Sequence, residues 1–122
     1  MHELPIVKNV LNVTLEYAEK CHATQVNKVV LIIGQLHDLL PEWVEKFFKY
    51  ASKGTIAENA KILIEHVPII CRCKSCQGNF VMHINGDEGD RKCPDCGSDS
   101  FSLLSGREFI IDKIEVCVPE TE

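Results

Sequence analysis

Two pairs of cysteines, each with two residues between its members, constrain the fold of this chain more than any other feature. Residues 73–76 read CKSC and residues 93–96 read CPDC, with sixteen residues between the two motifs. Two intervening residues let both sulfurs of a motif reach one ion, and sixteen suffice for a hairpin that brings the motifs together. The spacing predicts a zinc site with four thiolate ligands: Cys73, Cys76, Cys93 and Cys96.

A site closed by four thiolates has no open position for water, so this zinc would be structural rather than catalytic. Two alternatives remain open on spacing alone, namely iron in a rubredoxin-like site and four buried cysteines without metal. Cys71 could compete as a zinc ligand, although its position favours a thiol at a strand end. Cys21 and Cys117 fall on apolar faces, and we expect both in the core.

Composition and charge exclude several classes of protein. The chain has 122 residues, of which 45% are apolar and 25% charged, as in an ordinary globular protein. A net charge of −5 without a basic stripe argues against nucleic-acid binding, which depends on phosphate neutralisation. No apolar run approaches the ~20 residues of a membrane helix, and no signal-peptide pattern opens the chain. The chain has seven cysteines, whereas a disulfide scaffold would favour an even number because its cysteines pair. We therefore expect a cytoplasmic protein with neither a membrane nor a nucleic-acid partner.

Apolar periodicity predicts two helices and three strands around the cysteine motifs. A helix over 5–22, with Pro5 at its first position, would bury Val7, Val10, Leu11, Thr14, Ala18 and Cys21. A second helix, which opens at Pro41 and is stopped by Gly54, would have an inner face of Trp43, Val44, Phe47, Phe48 and Ala51. The predicted strands cover 26–33, 61–67 and 107–118.

The composition changes between residues 69 and 105, where cysteine, glycine, aspartate and serine replace the long apolar periodicities. We expect this segment to lack a core of its own and to need a metal. The strand after it should return to the sheet of the first lobe, because a lone strand is unstable. The predicted fold is α+β: two helices packed on a three-stranded sheet, with an inserted zinc-ribbon-like lobe. The expected domains are 1–68 plus 106–122, and 69–105.

The chain begins with Met1, His2 and Glu3, which together form a potential chelator. Initiator methionine is normally removed only before a small residue, so Met1 should remain with a free α-amine. That amine, the His2 amide nitrogen and the His2 imidazole could close two fused rings on square-planar Ni²⁺ or Cu²⁺. The fourth donor stays open between Glu3, water and one histidine of His22, His37, His66 and His83.

The chain as a whole resembles the HypA/HybF family, the hydrogenase nickel-incorporation proteins. Four features match in order: the Met-His-Glu start, the GTIAE segment at 54–58, the paired CxxC motifs, and the closing strand that begins GREF at 106–109. The resemblance implies the fold described above, nickel bound through His2 and the N-terminal backbone, and zinc held by the four cysteines. It also implies delivery of nickel to the large subunit of nickel-iron hydrogenase, with the GTPase HypB as partner. Some members serve urease, and dimers occur in the family.

Two other functions are alternatives. A zinc-ribbon module that binds protein or nucleic acid without transferring nickel would share the cysteine motifs. A metal-dependent enzyme would need an open metal site beside a general base, and the sequence contains no HExxH motif, P-loop or nucleophile constellation. Neither alternative accounts for the first three residues, so we expect a carrier that is not an enzyme.

Overall fold

A computed structural model of the chain describes residues 3–83 and 92–119. The elements follow in the order α1 (Glu3–Lys20), β1 (Gln25–Gly34), a 3-10 turn (Gln35–His37), α2 (Pro41–Ala51), β2 (Lys61–Val67), β3 (Ile69–Cys73), β4 (Asn79–Met82), β5 (Phe101–Ser105) and β6 (Phe109–Cys117). Both predicted helices and all three predicted strands are present, with ends shifted by at most two residues.

Helix α1 buries the face that its apolar spacing predicts, from Val7 to Ala18. It begins at Glu3, two residues before Pro5, because a proline is tolerated anywhere in a first turn whose N–H groups lack helical partners. It ends at Lys20, and His22 then takes a left-handed conformation with φ of 57°. The Ala23 N–H reaches back to the carbonyl of Ala18 over 2.9 Å, which closes the helix end.

Helix α2 begins at Pro41, as predicted, and buries Val44 and Phe48. The prediction that Trp43 lies on the inner face is wrong, because 41% of this side chain is exposed. Trp43 stacks on Phe47 at 5.5 Å between ring centroids. The Lys46 ammonium lies over the indole, 5.1 Å from its centroid. The covered stripe of this short helix is therefore narrower than its apolar residues suggest.

The strands form two separate sheets of three strands each, in the orders β2-β1-β6 and β4-β3-β5. In the second sheet β3 pairs antiparallel with both β4 and β5. The second sheet is contributed by a continuous stretch of chain between β2 and β6, and β6 returns to pair beside β1. This confirms the α+β fold class and the inserted lobe with its two cysteine motifs. Neither helix of the described residues has the length and apolar character needed to cross a bilayer.

The chain divides into two compact units. The first unit comprises Met1–Leu31, Leu39–Glu65 and Ile110–Glu122, and the second comprises Ile32–Asp38 and His66–Phe109. The second unit has a small core of its own, contrary to the expectation from composition. Its buried cluster contains Ile69, Cys71, Cys73, Phe80, Met82 and Cys93, with Phe101 and Leu103 packed against it.

Candidate metal centre

Four cysteine sulfurs converge at one end of the second sheet. Those of Cys73, Cys76, Cys93 and Cys96 all lie within 4.8 Å of one another. The Sγ atoms of Cys73 and Cys96 are 3.4 Å apart, and those of Cys76 and Cys93 are 3.6 Å apart. None of the four forms a disulfide. The structure therefore brings together the four residues that the spacing of the motifs predicts.

Each pair of cysteines lies in a tight turn, which we call knuckle one (residues 73–78) and knuckle two (residues 93–98). In knuckle one the Cys73 N–H donates to the carbonyl of Gly78 over 2.8 Å, and the Gln77 N–H donates back to the Cys73 carbonyl over 2.9 Å. The two equivalent bonds in knuckle two measure 2.9 and 2.8 Å. The knuckles are thus two copies of one hydrogen-bonded turn.

The fifth residue of each knuckle has a left-handed backbone. In knuckle two this residue is Gly97, with φ of 75°, as its sequence position suggests. In knuckle one it is Gln77, with φ of 64°. A residue with a Cβ atom is disfavoured in this conformation by roughly 1–2 kcal/mol. Nothing in the sequence marks Gln77 as left-handed, except that it occupies the same place after its motif as Gly97 does.

The thiols of Cys73 and Cys96 differ most in pKa, and in opposite directions from the ordinary value. The backbone N–H of Cys76 donates to the Cys73 sulfur and holds the pKa of that thiol at about 6, below its ordinary value. The Ser98 N–H lowers the pKa of Cys96, but the adjacent Cys73 sulfur and burial outweigh it and raise the pKa to about 12. Sulfurs this close compete for negative charge, and a divalent cation would remove that competition.

The arrangement fits zinc. With Zn–S bonds of about 2.3 Å, the edges of a tetrahedron of sulfurs measure about 3.8 Å, close to the two separations seen here. Cys71 does not belong to the group, because it is fully buried in β3, paired with Phe80 on one side and Leu103 on the other. Cys117 is exposed, and its sulfur accepts a hydrogen bond from the Asn27 amide over 3.0 Å.

The expectation of a core position for Cys117 is therefore wrong, and Cys21 is only half-buried. Both residues lie near the ends of their elements, where one side of an apolar face is no longer covered.

The predicted nickel ligands Met1 and His2 lie outside the described residues. Glu3 is the first residue of α1 and is only 7% exposed. Among the four candidate histidines, His37 has its Nε2 atom 2.9 Å from the carbonyl oxygen of Arg107, and His22 closes α1. His66 and His83 are exposed. The choice of a fourth nickel donor stays open.

Two serines beside the cysteines are a feature that sequence reasoning missed. Ser75 and Ser98 are 23 positions apart, and their hydroxyls form a hydrogen bond of 3.0 Å. Serine is so common in turns that neither residue carries a signal of its own.

The comparison with known families agrees with this geometry. The family model for hydrogenase/urease nickel incorporation, metallochaperone, hypA, matches residues 1–116. The chain belongs to the HypA family. The resemblance noted from the sequence is thereby confirmed. Proteins of the HypA family bind nickel, and the four-cysteine cluster described above fits a structural zinc site.

Individual relatives cover almost the whole chain. The hydrogenase maturation factor HypA of Moorella thermoacetica is 35% identical over 115 residues, which span 94% of this chain and 98% of that protein. Its counterpart from Methanothermobacter thermautotrophicus is 36% identical over 121 residues, spanning 95% and 97%. The solution structure of the nickel metallochaperone HypA from Helicobacter pylori superposes with a TM-score of 0.62. That similarity covers 98% of this chain and 100% of that one at 22% sequence identity, and it supports the fold.

Proposed function

We propose that this chain is a nickel metallochaperone that binds Ni²⁺ at Met1, His2 and Glu3 and delivers it for the maturation of nickel-iron hydrogenase. The observation that carries the proposal is the family match over residues 1–116, which includes these first three residues. In the same proposal the four clustered cysteines hold zinc as a structural ion. The protein would work in the cytoplasm by carriage rather than catalysis.

The start of α1 suits a chelate at the chain terminus. The first N–H groups of a helix have no helical partner, so loss of the His2 amide proton to a metal would break no helical bond. A cation at a helix N-terminus is opposed by the helix dipole. The carboxylate of Glu3, in the first turn, would counter that opposition. The proposal requires Met1 to be the first residue, with a free amine.

A terminal chelate can also release its ion. Its donors can leave one at a time, because the amine and the imidazole belong to adjacent residues at the beginning of the chain. The same nitrogen donors bind Cu²⁺ more tightly than Ni²⁺ by the Irving–Williams order. Selectivity for nickel would therefore come from partners and from the supply of metal, rather than from the affinity of the site.

The partners in this proposal are the GTPase HypB and the large subunit of the hydrogenase, with a homodimer as a further assembly. Purified HypB and large subunit, mixed with the nickel-loaded chain, test this directly. We expect a complex in size-exclusion chromatography and transfer of nickel to the large subunit. Nickel that stays with the chain in the presence of both proteins would contradict delivery.

The nickel site itself is tested by His2→Ala in protein that begins at Met1. Loss of the imidazole should abolish Ni²⁺ binding in a calorimetric titration, while the zinc content and the folded structure stay unchanged. Lys8→Ala, which alters an exposed side chain of α1 that is not among the candidate donors, is the control and should bind nickel as the unaltered protein does. Unchanged nickel affinity in His2→Ala would refute the assignment.

A second variant separates the amine from the imidazole. Three glycines added before Met1 keep every side chain but move the α-amine too far from His2 for the two to share fused chelate rings. A single glycine is not suitable, because it would make the histidine the third residue and create a new nickel chelate with the amine and two amides. We expect a clear loss of nickel affinity in the protein with three added glycines. If that protein binds nickel as tightly as before, the amine is not a ligand.

A further inference from the structure

The two knuckles are joined by hydrogen bonds that involve no sulfur. Ser75 lies between the two cysteines of knuckle one, and its hydroxyl donates to the hydroxyl of Ser98 over 3.0 Å. The neighbouring N–H of Lys74 donates to the carbonyl of Ser100 over 3.0 Å. We call the hydroxyl pair of Ser75 and Ser98 the serine clasp. The serine clasp connects knuckle one to knuckle two, and the Lys74 bond connects knuckle one to the short stretch between knuckle two and β5.

Ser98 is placed by knuckle two before it reaches knuckle one. Its carbonyl accepts the N–H of Cys93 over 2.9 Å, and its own N–H donates to the sulfur of Cys96. Its hydroxyl accepts the Ser100 N–H over 3.2 Å in addition to the Ser75 hydroxyl. The backbone of knuckle two therefore determines where the Ser98 hydroxyl stands, and that hydroxyl restrains knuckle one.

We propose that the serine clasp is a positioning device that sets the separation of the two knuckles for zinc. Neither hydroxyl contacts a sulfur, so the clasp acts through the backbone that carries the ligands. A site whose ligands are already close loses less conformational freedom when the ion binds, and the ion must disturb more bonds to leave. The inference rests on the zinc part of the proposed function and is independent of nickel.

The test is Ser98→Ala in the full chain. Loss of two modest hydrogen bonds should speed the transfer of zinc to a chromophoric chelator about fivefold and weaken zinc affinity by a similar factor. The Co²⁺-substituted variant should keep the absorption spectrum of a tetrahedral four-thiolate site, because all four ligands remain. Ser102→Ala, at an exposed serine of β5, is the matched control and should release zinc at the unaltered rate.

A double-mutant cycle then asks whether the two hydroxyls act as a pair. Ser75→Ala should speed zinc release less than Ser98→Ala does. Ser75→Ala combined with Ser98→Ala should be no faster than Ser98→Ala alone, since the bond they share can be lost only once. Ser98→Thr, which keeps the hydroxyl, should restore slow release.

Two outcomes would overturn the clasp. One is zinc release from Ser98→Ala at the unaltered rate, and the other is two fully additive single effects. If the unaltered release rate comes with a lower free energy of unfolding, the serines contribute to general packing only. If Ser98→Ala does not fold, the exposed Ser75→Ala carries the same test. An unaltered protein that binds no zinc would instead refute the zinc part of the proposed function.

Discussion

The two units of this chain are stabilised by different means. The first unit buries apolar side chains from both helices, β1, β2 and the loops on either side of α2: Val7, Val10, Leu11, Ala18, Val26, Val29, Leu31, Leu39, Val44, Phe48, Ala57 and Ile62. In the second unit, three of the six residues in the buried cluster are cysteines. Two of these three, Cys73 and Cys93, also belong to the four converging sulfurs. The comparison teaches that, in a unit too small for a large apolar core, the same cysteines can belong both to that core and to a candidate metal site.

The largest expected effect is the unfolding of the second unit in Cys93→Ser, while the first unit stays folded. Cys93→Ser removes one of four thiolates, and a structural zinc site contributes on the order of 10 kcal/mol of apparent free energy at pH 7. We expect no zinc by metal analysis and loss of dispersed NMR signals from the second unit. Signals from α1 should stay in place, because its buried face belongs to the first unit.

The control for this experiment is Cys117→Ser, which alters an exposed sulfur outside the cluster. It should retain one zinc per chain and the unaltered spectrum. A fully ordered second unit in zinc-free Cys93→Ser would show that the small apolar core suffices by itself.

An intermediate effect is expected from Phe48→Ala in the first unit. This side chain is 2% exposed in α2, and its truncation leaves a cavity that costs about 3–5 kcal/mol. Urea denaturation should report that loss, while the zinc stoichiometry stays at one per chain. Tyr50→Ala on the same helix is the control, because its ring is 71% exposed and its removal should change stability by only about 0.5 kcal/mol. Equal losses in the two variants would contradict the core assignment.

The smallest expected effect is a change in stability at the left-handed residue of each knuckle. Gln77→Gly should stabilise the zinc-loaded protein by roughly 1 kcal/mol, because glycine adopts a positive φ without a Cβ clash. Gly97→Ala, at the equivalent position, should destabilise it by a similar amount, since its φ of 75° is left-handed as well. Thermal unfolding of both variants measures the two shifts. Shifts of the same sign would show that the knuckles differ in backbone strain.

Sequence patterns predicted the secondary structure well because most elements have one clearly covered face. The predicted strand 61–67 coincides with β2, and the strand predicted over 26–33 extends by one residue at each end in β1. Periodicity says which residues share a face, but it does not say how wide the covered part of that face is. Periodicity therefore predicts core positions for Trp43 and Cys117, although both side chains are exposed.

The composition of residues 69–105 predicts that this segment lacks a core, and that prediction is wrong. Ile69, Phe80 and Met82 are few and scattered along the sequence, so they form no long apolar run. Pairing of β3 with β4 places Ile69 opposite Met82 and Cys71 opposite Phe80, and this register gathers them on one face. Register depends on contacts across strands, which a single segment does not reveal.

By itself the sequence indicated which four cysteines come together and that the chain belongs to the HypA family, because both signals depend on residue type and local spacing. Tertiary structure decided the distance between the two cysteine motifs, the left-handed backbone of Gln77 and the bond between Ser75 and Ser98. The first and the third of these need two segments far apart in the chain to meet, whereas the second belongs to the hydrogen-bonded turn of knuckle one. Such a meeting results from the packing of β3, β4 and β5, which is a property of the folded chain rather than of any one stretch of residues.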